Sequence, residues 1–176
     1  MAKTNTIKSI LGFFKAVLQR RLPFLSQDSS LEAIYNYVPI KDLYATSGQP
    51  NERQFDLIKQ AGFTTVINLA PTSVLENSVV EEAAILERLG MEYVHIPVDF
   101  KNPTDEDFAQ FVGVLNERDG QQVWVHCAAN MRVSAFTYRY REQILQHDPG
   151  TARLDLEKIW EPFGVWVDFI KNQQAH

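Results

Sequence analysis

The order of strand-like and helix-like segments constrains the fold of this chain more than any other feature of its sequence. Short apolar runs rich in β-branched or aromatic residues, which are typical of strands, occupy residues 33–40, 63–70, 91–98 and 121–126. The segments between them have apolar residues at helical spacing. Strands that alternate with helices predict a single α/β domain with a central, mainly parallel sheet flanked by helices.

Helix boundaries can be predicted from capping residues. Asn51 with Gln54 three residues later resembles a capping box, so a helix should run over residues 52–61 and stop at Gly62. Thr104 should cap a helix that has acidic residues in its first turn. Another helix is predicted before Gly90, which should end it. Its apolar residues at helical spacing are Val79, Ala83 and Leu86. Residues 45–51, with the sequence ATSGQPN, predict a turn, and Pro162 should interrupt the C-terminal helical region.

Charge divides the chain into two parts. Residues 1–22 contain five basic residues and no acidic one: Lys3, Lys8, Lys15, Arg20 and Arg21. The whole chain has 17 basic and 22 acidic residues, so the rest has 12 basic against 22 acidic and a net charge of −10. We therefore expect a basic amphipathic segment over residues 1–25 and an α/β domain over residues 26–176. An acidic body argues against nucleic-acid binding, which needs a basic face.

The N-terminal segment has one apolar face, made by Ile7, Ile10, Leu11, Phe14 and Leu18. Lys15 interrupts its apolar run, which is too short to span a bilayer, and no secretory cleavage site follows. Three alternatives remain open: a helix packed on the domain or on a partner, a helix on a membrane surface, and a poorly ordered tail. Residues 1–22 are thus a candidate for peripheral membrane or partner contact.

The chain contains a single cysteine, Cys127, so it cannot form an internal disulfide. A free thiol fits a reducing compartment and predicts a cytoplasmic protein. No second cysteine pairs with a histidine at zinc spacing, and the four histidines are scattered. We therefore expect neither a metal site nor an organic cofactor.

The cysteine lies in the stretch VWVHCAANMRVSAF, residues 123–136, between a strand and a helix. Ligands of parallel sheets sit outside the carboxyl ends of the strands, where Cys127 falls. Unpaired N–H groups at a helix start stabilise both a thiolate and a bound oxyanion. Arg132 could grip two oxygens of an anion, Ser134 could donate a hydrogen bond to the sulfur, and His126 could tune the thiol.

The predicted anion cradle is the run that follows the cysteine: Ala128, Ala129, Asn130, Met131, Arg132 and Val133. Against this interpretation, Cys127 could be a buried structural thiol, Arg132 a solvated arginine and Ser134 an ordinary first-turn serine. Asp99 follows a strand and should lie at the same sheet edge as Cys127. It could serve there as a general acid or be a solvated loop carboxylate.

Three motifs together resemble a known superfamily. His126–Cys127 after an apolar strand, with an arginine and a serine shortly after, resembles the cysteine-dependent phosphatases, especially the dual-specificity branch. YATSGQPNERQFDLIKQAGFTTVINLA resembles the opening of the bacterial beta-lactamase-hybrid family of phosphatases and sulfurtransferases. HIPVDFKNPTDEDF is similar to the loop that brings the general-acid aspartate in phosphatases, which implies that role for Asp99.

The loop departs from the phosphatase pattern in length. In that pattern the arginine stands six residues after the cysteine, whereas here this position is Val133 and Arg132 comes one residue earlier. Either the arginine is missing, or the loop is one residue shorter, as in the rhodaneses. We favour the short loop, because Val133 belongs to the apolar face of the following helix. Asn130 replaces the usual glycine, and asparagine tolerates the left-handed conformation better than most residues.

The resemblance implies hydrolysis of a phosphate monoester through a phosphocysteine on Cys127. Arg132 and the loop amides would hold the oxygens, and Asp99 would protonate the leaving group. The expected partner is a phosphorylated substrate or another small oxyanion. Two alternatives remain: a rhodanese-like sulfurtransferase with a persulfide on Cys127, and a non-catalytic anion-binding module.

Overall fold

Five strands form one sheet in the computed structural model, which describes residues 5–8, 10–12, 30–71 and 81–171. The strands are β1 (Val38–Ile40), β2 (Tyr44–Ser47), β3 (Thr65–Asn68), β4 (Glu92–His95) and β5 (Val123–His126). Their order across the sheet is β1-β2-β5-β3-β4. β1 is antiparallel to β2, and all other neighbours are parallel. The predicted α/β fold with a mainly parallel sheet is confirmed.

Helices connect the strands and cover both faces of the sheet. The α-helices are α1 (Glu52–Gln60), α2 (Glu82–Arg88), α3 (Asp105–Asn116), α4 (Met131–Arg139), α5 (Pro149–Ile159) and α6 (Val165–Phe169). A 3₁₀ turn covers Leu31–Ala33, and a π-helical turn, Tyr140–Ile144, extends α4. Residues 5–8 and 10–12 are also helical. Pro162 lies between α5 and α6, as predicted.

The sheet separates two apolar layers. Side chains along a strand alternate between its faces, so Val123 and Val125 of β5 join one cluster and Trp124 joins the other. The first cluster includes residues of α3, α4, α5 and α6, and the second includes residues of α1 and α2. The two residues at the end of β5 also face opposite sides of the sheet. The His126 ring lies 6.0 Å from the Phe55 ring of the second cluster, whereas Cys127, the next residue, belongs to the first cluster.

The predicted helix caps form as expected. Asn51 Oδ1 accepts from the Gln54 main-chain N–H at 2.9 Å, and the Gln54 side chain accepts from the Asn51 N–H at 2.9 Å. The same reciprocal pair joins Thr104 and Asp107, at 3.1 and 3.0 Å. Each box satisfies two N–H groups that the first turn leaves unpaired. α1 therefore begins where the sequence predicts.

The prediction of a turn over residues 45–51 is wrong in its first half, because residues 44–47 form β2 between β1 and β5. Its polar side chains are buried with long-range partners: Thr46 Oγ1 donates to Val38 O at 2.9 Å, and Trp124 Nε1 donates to Ser47 Oγ at 3.0 Å. A turn-like composition can thus occupy a strand when its neighbours supply hydrogen bonds. The first predicted strand is also shorter, since β1 begins at Val38.

The N-terminal helical residues contact the domain. Asn5 Nδ2 donates to Glu157 O at 2.8 Å, and Thr6 Oγ1 accepts from the Glu161 N–H at 2.8 Å. Other predicted residues fall outside the described ranges, namely Lys3, Phe14, Lys15, Leu18, Arg20 and Arg21 of the N-terminal segment and Val79. None of the described helices is long and apolar enough to cross a membrane.

Candidate active site

Cys127 follows β5 directly, at the carboxyl end of the parallel strands. Ser47 of β2 and Asn68 of β3 are both in register with His126, so three strands end beside the cysteine. Its main-chain N–H donates to Ser47 O at 3.4 Å, and its side chain is 1% exposed. Ligands of open α/β sheets bind outside this edge. The cysteine therefore lies where the sequence predicts.

Two carbonyl groups of the loop after the cysteine accept hydrogen bonds from residues outside the loop. Ala128 O accepts from the Gln49 N–H at 3.2 Å, and Ala129 O accepts from Asn36 Nδ2 at 2.9 Å. In a trans peptide the N–H points opposite to the C=O of the same unit. The first contact therefore turns the N–H group of Ala129 away from Gln49 and toward the inside of the loop, whereas the antiparallel bridge between Gly48 and Ala129 directs the N–H of Asn130 toward β2.

The amide groups of this loop form a row of hydrogen-bond donors. Within the described part of the chain, no acceptor bonds the main-chain N–H of Ala128, Ala129, Met131 or Val133. α4 begins at Met131, so the last of these groups belong to its first turn. Unpaired N–H groups at a helix start form an anion-binding site, to which the helix dipole adds positive potential.

Asn130 shapes the loop at its midpoint. Its φ of 63° is left-handed, as the sequence comparison with glycine predicts. The side chain is fully buried, and Nδ2 donates to Asn36 O at 2.7 Å and to Thr46 Oγ1 at 3.0 Å. Asn36 in turn holds the Ala129 carbonyl. Both asparagines therefore fix the loop against the segment that precedes β1 and against β2.

Gly48 allows β2 to approach the loop closely. It forms an isolated bridge with Ala129. A Cβ atom at Gly48 would lie 3.0 Å from Ala128 O and 2.6 Å from Tyr35 Cδ1, which is too close for a side chain. Only glycine therefore fits between the Tyr35 ring and the loop without displacing one of them.

Arg132 links the start of α4 to the segment after β4. Its Nε donates to Val98 O at 2.9 Å, and its Cζ lies 5.2 Å from the centre of the Phe100 ring. The side chain is 3% exposed. Val133 is fully buried in the first apolar cluster, which agrees with the short-loop alignment. The arginine thus points to the segment that contains Asp99.

Asp99 lies between the two residues that Arg132 contacts. It is exposed, and its Oδ1 accepts from the Lys101 main-chain N–H at 2.9 Å. Arg132 therefore contacts the residues on either side of Asp99 in the chain. The acid role of Asp99 stays a prediction.

Ser134 has other partners than those predicted. Its hydroxyl donates to Met131 O at 3.0 Å and accepts from Trp160 Nε1 at 3.2 Å. Because a hydroxyl has one proton, this arrangement leaves none for the sulfur of Cys127. The predicted donation to the thiol is therefore not what the structure contains. Ser134 instead ties the first turn of α4 to the end of α5.

His126 is fully buried, and its Nε2 lies 2.7 Å from Glu82 Oε1. Its ring is on the face of the sheet opposite to the thiol, so any influence on Cys127 passes through the main chain. His126 is thus a hydrogen-bonded residue at the end of β5. Its partner, Glu82, was not predicted, because an acid in the first turn of an amphipathic helix has the pattern of a solvated residue.

A polar network surrounds this pair in the second apolar layer. Asn68 Nδ2 lies 3.4 Å from Glu82 Oε2 and 3.3 Å from the hydroxyl of Tyr93. Burial, reinforced by the Glu82 carboxylate, raises the pKa of Tyr93 to about 12. The tyrosine hydroxyl therefore stays protonated at neutral pH. Among the described residues, no group of three or more His, Cys, Asp or Glu side chains could hold a metal ion.

Known proteins resemble this chain in sequence. The family model described as "DSP-PTPase phosphatase fused to NAD+ Kinase" matches residues 31–161. A beta-lactamase hydrolase-like protein of Xylella fastidiosa is 32% identical over 97 residues, which are 54% of this chain and 22% of that protein. The chain thus matches about a fifth of the length of this curated relative. The predicted resemblance to both groups is confirmed.

Solved structures share the fold. The crystal structure of a candidate phosphatase (DUF442) from Shewanella putrefaciens CN-32 has a TM-score of 0.71 and 34% identity, covering 80% of this chain and 92% of that one. The core catalytic domain of the PP-IP phosphatase SIW14 from S. cerevisiae, in complex with citrate, has a TM-score of 0.67 and 12% identity, covering 80% and 86%. At 12% identity the second likeness concerns the fold alone.

Proposed function

The chain belongs to the family of dual-specificity-type phosphatases described as fused to NAD+ kinase, whose model matches residues 31–161, and on this basis we propose that it is a cysteine-dependent phosphatase. The reaction is hydrolysis of a phosphate monoester through a phosphocysteine on Cys127. The observation that supports it best is the row of loop N–H groups beside a cysteine and an arginine. A phosphoryl group presents oxygens that accept from all of these donors.

In the first step the Cys127 thiolate attacks phosphorus, and the bond from phosphorus to the ester oxygen breaks. Asp99 gives its proton to the leaving oxygen, so the alcohol departs neutral. The loop amides and Arg132 bind the three remaining phosphoryl oxygens. Their hydrogen bonds stabilise the negative charge on these oxygens in the transition state.

In the second step water attacks the phosphocysteine. The Asp99 carboxylate takes a proton from that water, and the sulfur leaves as a thiolate. Inorganic phosphate is released, and the thiolate, the protonated Asp99 and the loop return to their starting forms. Neither a metal nor an organic cofactor takes part. The substrate is a phosphorylated molecule.

A second candidate function is sulfur transfer. One observation favours it: Arg132 comes five residues after Cys127, which is the shorter loop that resembles the rhodaneses. In that reaction the thiolate takes the outer sulfur of thiosulfate and sulfite leaves. A non-catalytic module that binds an anion without turnover is the third alternative.

Three measurements on the wild type separate these functions: hydrolysis of an aryl phosphate, sulfite release from thiosulfate, and binding of inorganic phosphate. We expect phosphate-ester turnover, and we expect Cys127→Ser to abolish it, because the hydroxyl is a far weaker nucleophile. Circular dichroism of Cys127→Ser should match the wild type, and inorganic phosphate should still bind. Robust thiosulfate turnover without ester hydrolysis would replace the phosphatase with the sulfurtransferase. Phosphate binding without either activity would favour the non-catalytic module.

A further inference from the structure

Glu82, the first residue of α2, is a buried carboxylate behind the candidate active site. It is 2% exposed. Its Oε1 lies 2.7 Å from His126 Nε2, and its Oε2 accepts from Gln49 Nε2 at 2.9 Å. Asn68 Nδ2 is a weaker neighbour at 3.4 Å. When the His126 ring carries its proton on Nε2, N–H donors from three separate segments therefore converge on one side chain.

Two acceptor oxygens suit this arrangement. An ionised carboxylate has two oxygens and no N–H group, so it can accept from all three neighbours. A glutamine has a single oxygen, which can accept from Gln49 and Asn68 only if its NH₂ group faces His126 Nε2. That ring nitrogen could then accept only with the ring proton on Nδ1, a buried atom without a partner among the described residues, and a buried N–H without an acceptor is costly.

Two of the donors belong to segments that build the anion loop. His126 directly precedes Cys127, and its carbonyl accepts from the Leu69 N–H at 2.8 Å. Gln49 holds the Ala128 carbonyl through its main-chain N–H at 3.2 Å, while its side chain reaches Glu82. Glu82 thus contacts two segments next to the loop: the end of β5 at His126, and the segment after β2 at Gln49.

We propose that Glu82 is a positioning residue for the Cys127 loop, acting through His126 and Gln49. It does not touch the thiol, because the His126 ring and Glu82 lie on the opposite face of the sheet. Its effect is to keep the loop N–H groups directed at the position of the bound anion. The proposal depends on the proposed function only for its kinetic readout, since anion binding can be measured without turnover.

The test measures the rate at which iodoacetate labels Cys127 and the protection given by inorganic phosphate. For Glu82→Gln we expect the phosphate concentration that gives half-protection to rise roughly 10-fold, as for the loss of one hydrogen bond to a charged group. Glu81→Gln is the matched control, because the neighbouring glutamate is exposed and should leave protection unchanged.

A double variant distinguishes positioning from a general loss of stability. Adding Gln49→Glu to Glu82→Gln moves the carboxylate to the other side of the same contact, so donor and acceptor again face each other. We expect this pair to regain most of the phosphate protection. If turnover is measurable, kcat should fall in Glu82→Gln and recover in the double variant.

Clear outcomes would overturn the proposal. A folded Glu82→Gln with wild-type protection removes the role of Glu82, whether or not the protein hydrolyses esters. If Glu82→Gln does not fold, Gln49→Leu tests the second link alone, and unchanged protection there would also exclude positioning through Gln49. Failure of the wild type to hydrolyse any ester, with altered protection in Glu82→Gln, would instead reject the phosphatase function and leave Glu82 in place.

Discussion

Two adjacent residues at the start of α4 have opposite environments. Val133 is fully buried in the first apolar cluster, while the Arg132 guanidinium reaches Val98 O and lies against the Phe100 ring. Successive helical residues point about 100° apart, so a one-residue shift of the arginine would exchange these environments. The short loop is therefore compatible with a core valine at the position where a longer loop would have its arginine.

Asp99 gives the sharpest residue-scale prediction. An alkyl phosphate has a poor leaving group that needs a proton in the transition state, whereas an activated aryl phosphate needs little help. We expect Asp99→Asn to slow hydrolysis of the alkyl ester about 10²–10⁴-fold and that of the aryl ester much less. Steady-state rates on both esters measure the difference.

Asp105→Asn is a suitable control for this experiment. Asp105 lies nearby in the chain but pairs with Arg139, its Oδ1 lying 2.7 Å from Nη1. That change should affect both esters equally or not at all. Equal rates of Asp99→Asn and the wild type on both esters would exclude Asp99 as the acid, and unchanged thiosulfate cleavage would be expected in either case.

At the scale of elements, β2 and the glycine after it support the loop. β2 pairs with β5 along Ala45, Thr46 and Ser47, and Gly48 then bridges to Ala129. Tyr35 lies on the other side of Gly48 and accepts its N–H at 2.7 Å through the main-chain carbonyl. The anion loop is therefore held between the chain segment before β1 and the end of β2.

Gly48→Ala should destabilise the protein by about 1–3 kcal/mol, the usual cost of forcing a methyl group into a closely packed site. It should also weaken phosphate protection of Cys127, because Ala128 O is one of the atoms that must move. Thermal unfolding and iodoacetate labelling measure the two effects.

Gly113→Ala is the matched control. Gly113 lies on an exposed position of α3, and a Cβ there would meet nothing within 4 Å. Alanine should stabilise the helix by roughly 0.5–1 kcal/mol without changing phosphate protection. A Gly48→Ala protein as stable as the wild type would contradict the close approach that the structure contains.

At the scale of the whole molecule, the N-terminal helical residues present their apolar side outward. Asn5 and Thr6 make hydrogen bonds to the domain, while Ile7 is 60% and Leu11 65% exposed. The described residues of the predicted apolar face, Ile7, Ile10 and Leu11, are thus exposed rather than packed on α5. Together with five basic residues in residues 1–22, this arrangement favours the contact with an anionic membrane surface or a partner.

Deleting residues 1–22 should leave ester hydrolysis intact, because no residue of the candidate active site lies in that segment. It should reduce binding to vesicles containing anionic lipid, measured by co-sedimentation of the full and shortened chains. Neutral vesicles serve as the control and should bind neither protein. An unfolded shortened chain would show instead that the N-terminal helix is needed by the core, and equal vesicle binding by both chains would exclude the segment as the membrane contact.

Features that depend on neighbouring residues can be predicted from the amino-acid sequence. The capping boxes at Asn51 and Thr104, the left-handed Asn130 and the position of Cys127 at the end of a strand all follow from local hydrogen bonding and backbone preference. Such features can be predicted from a few neighbouring residues, because the atoms involved are at most a few residues apart in the chain.

The tertiary structure alone decided which distant segments meet. β2 occupies a stretch with turn-like composition because β1 and β5 supply its partners, and Ser134 bonds Trp160 rather than the thiol. Glu82 has the pattern of a surface acid, yet folding buries it against His126, 44 residues away. A polar side chain is compatible with either solvent or a buried partner, and only the packing of the sheet and helices selects between them.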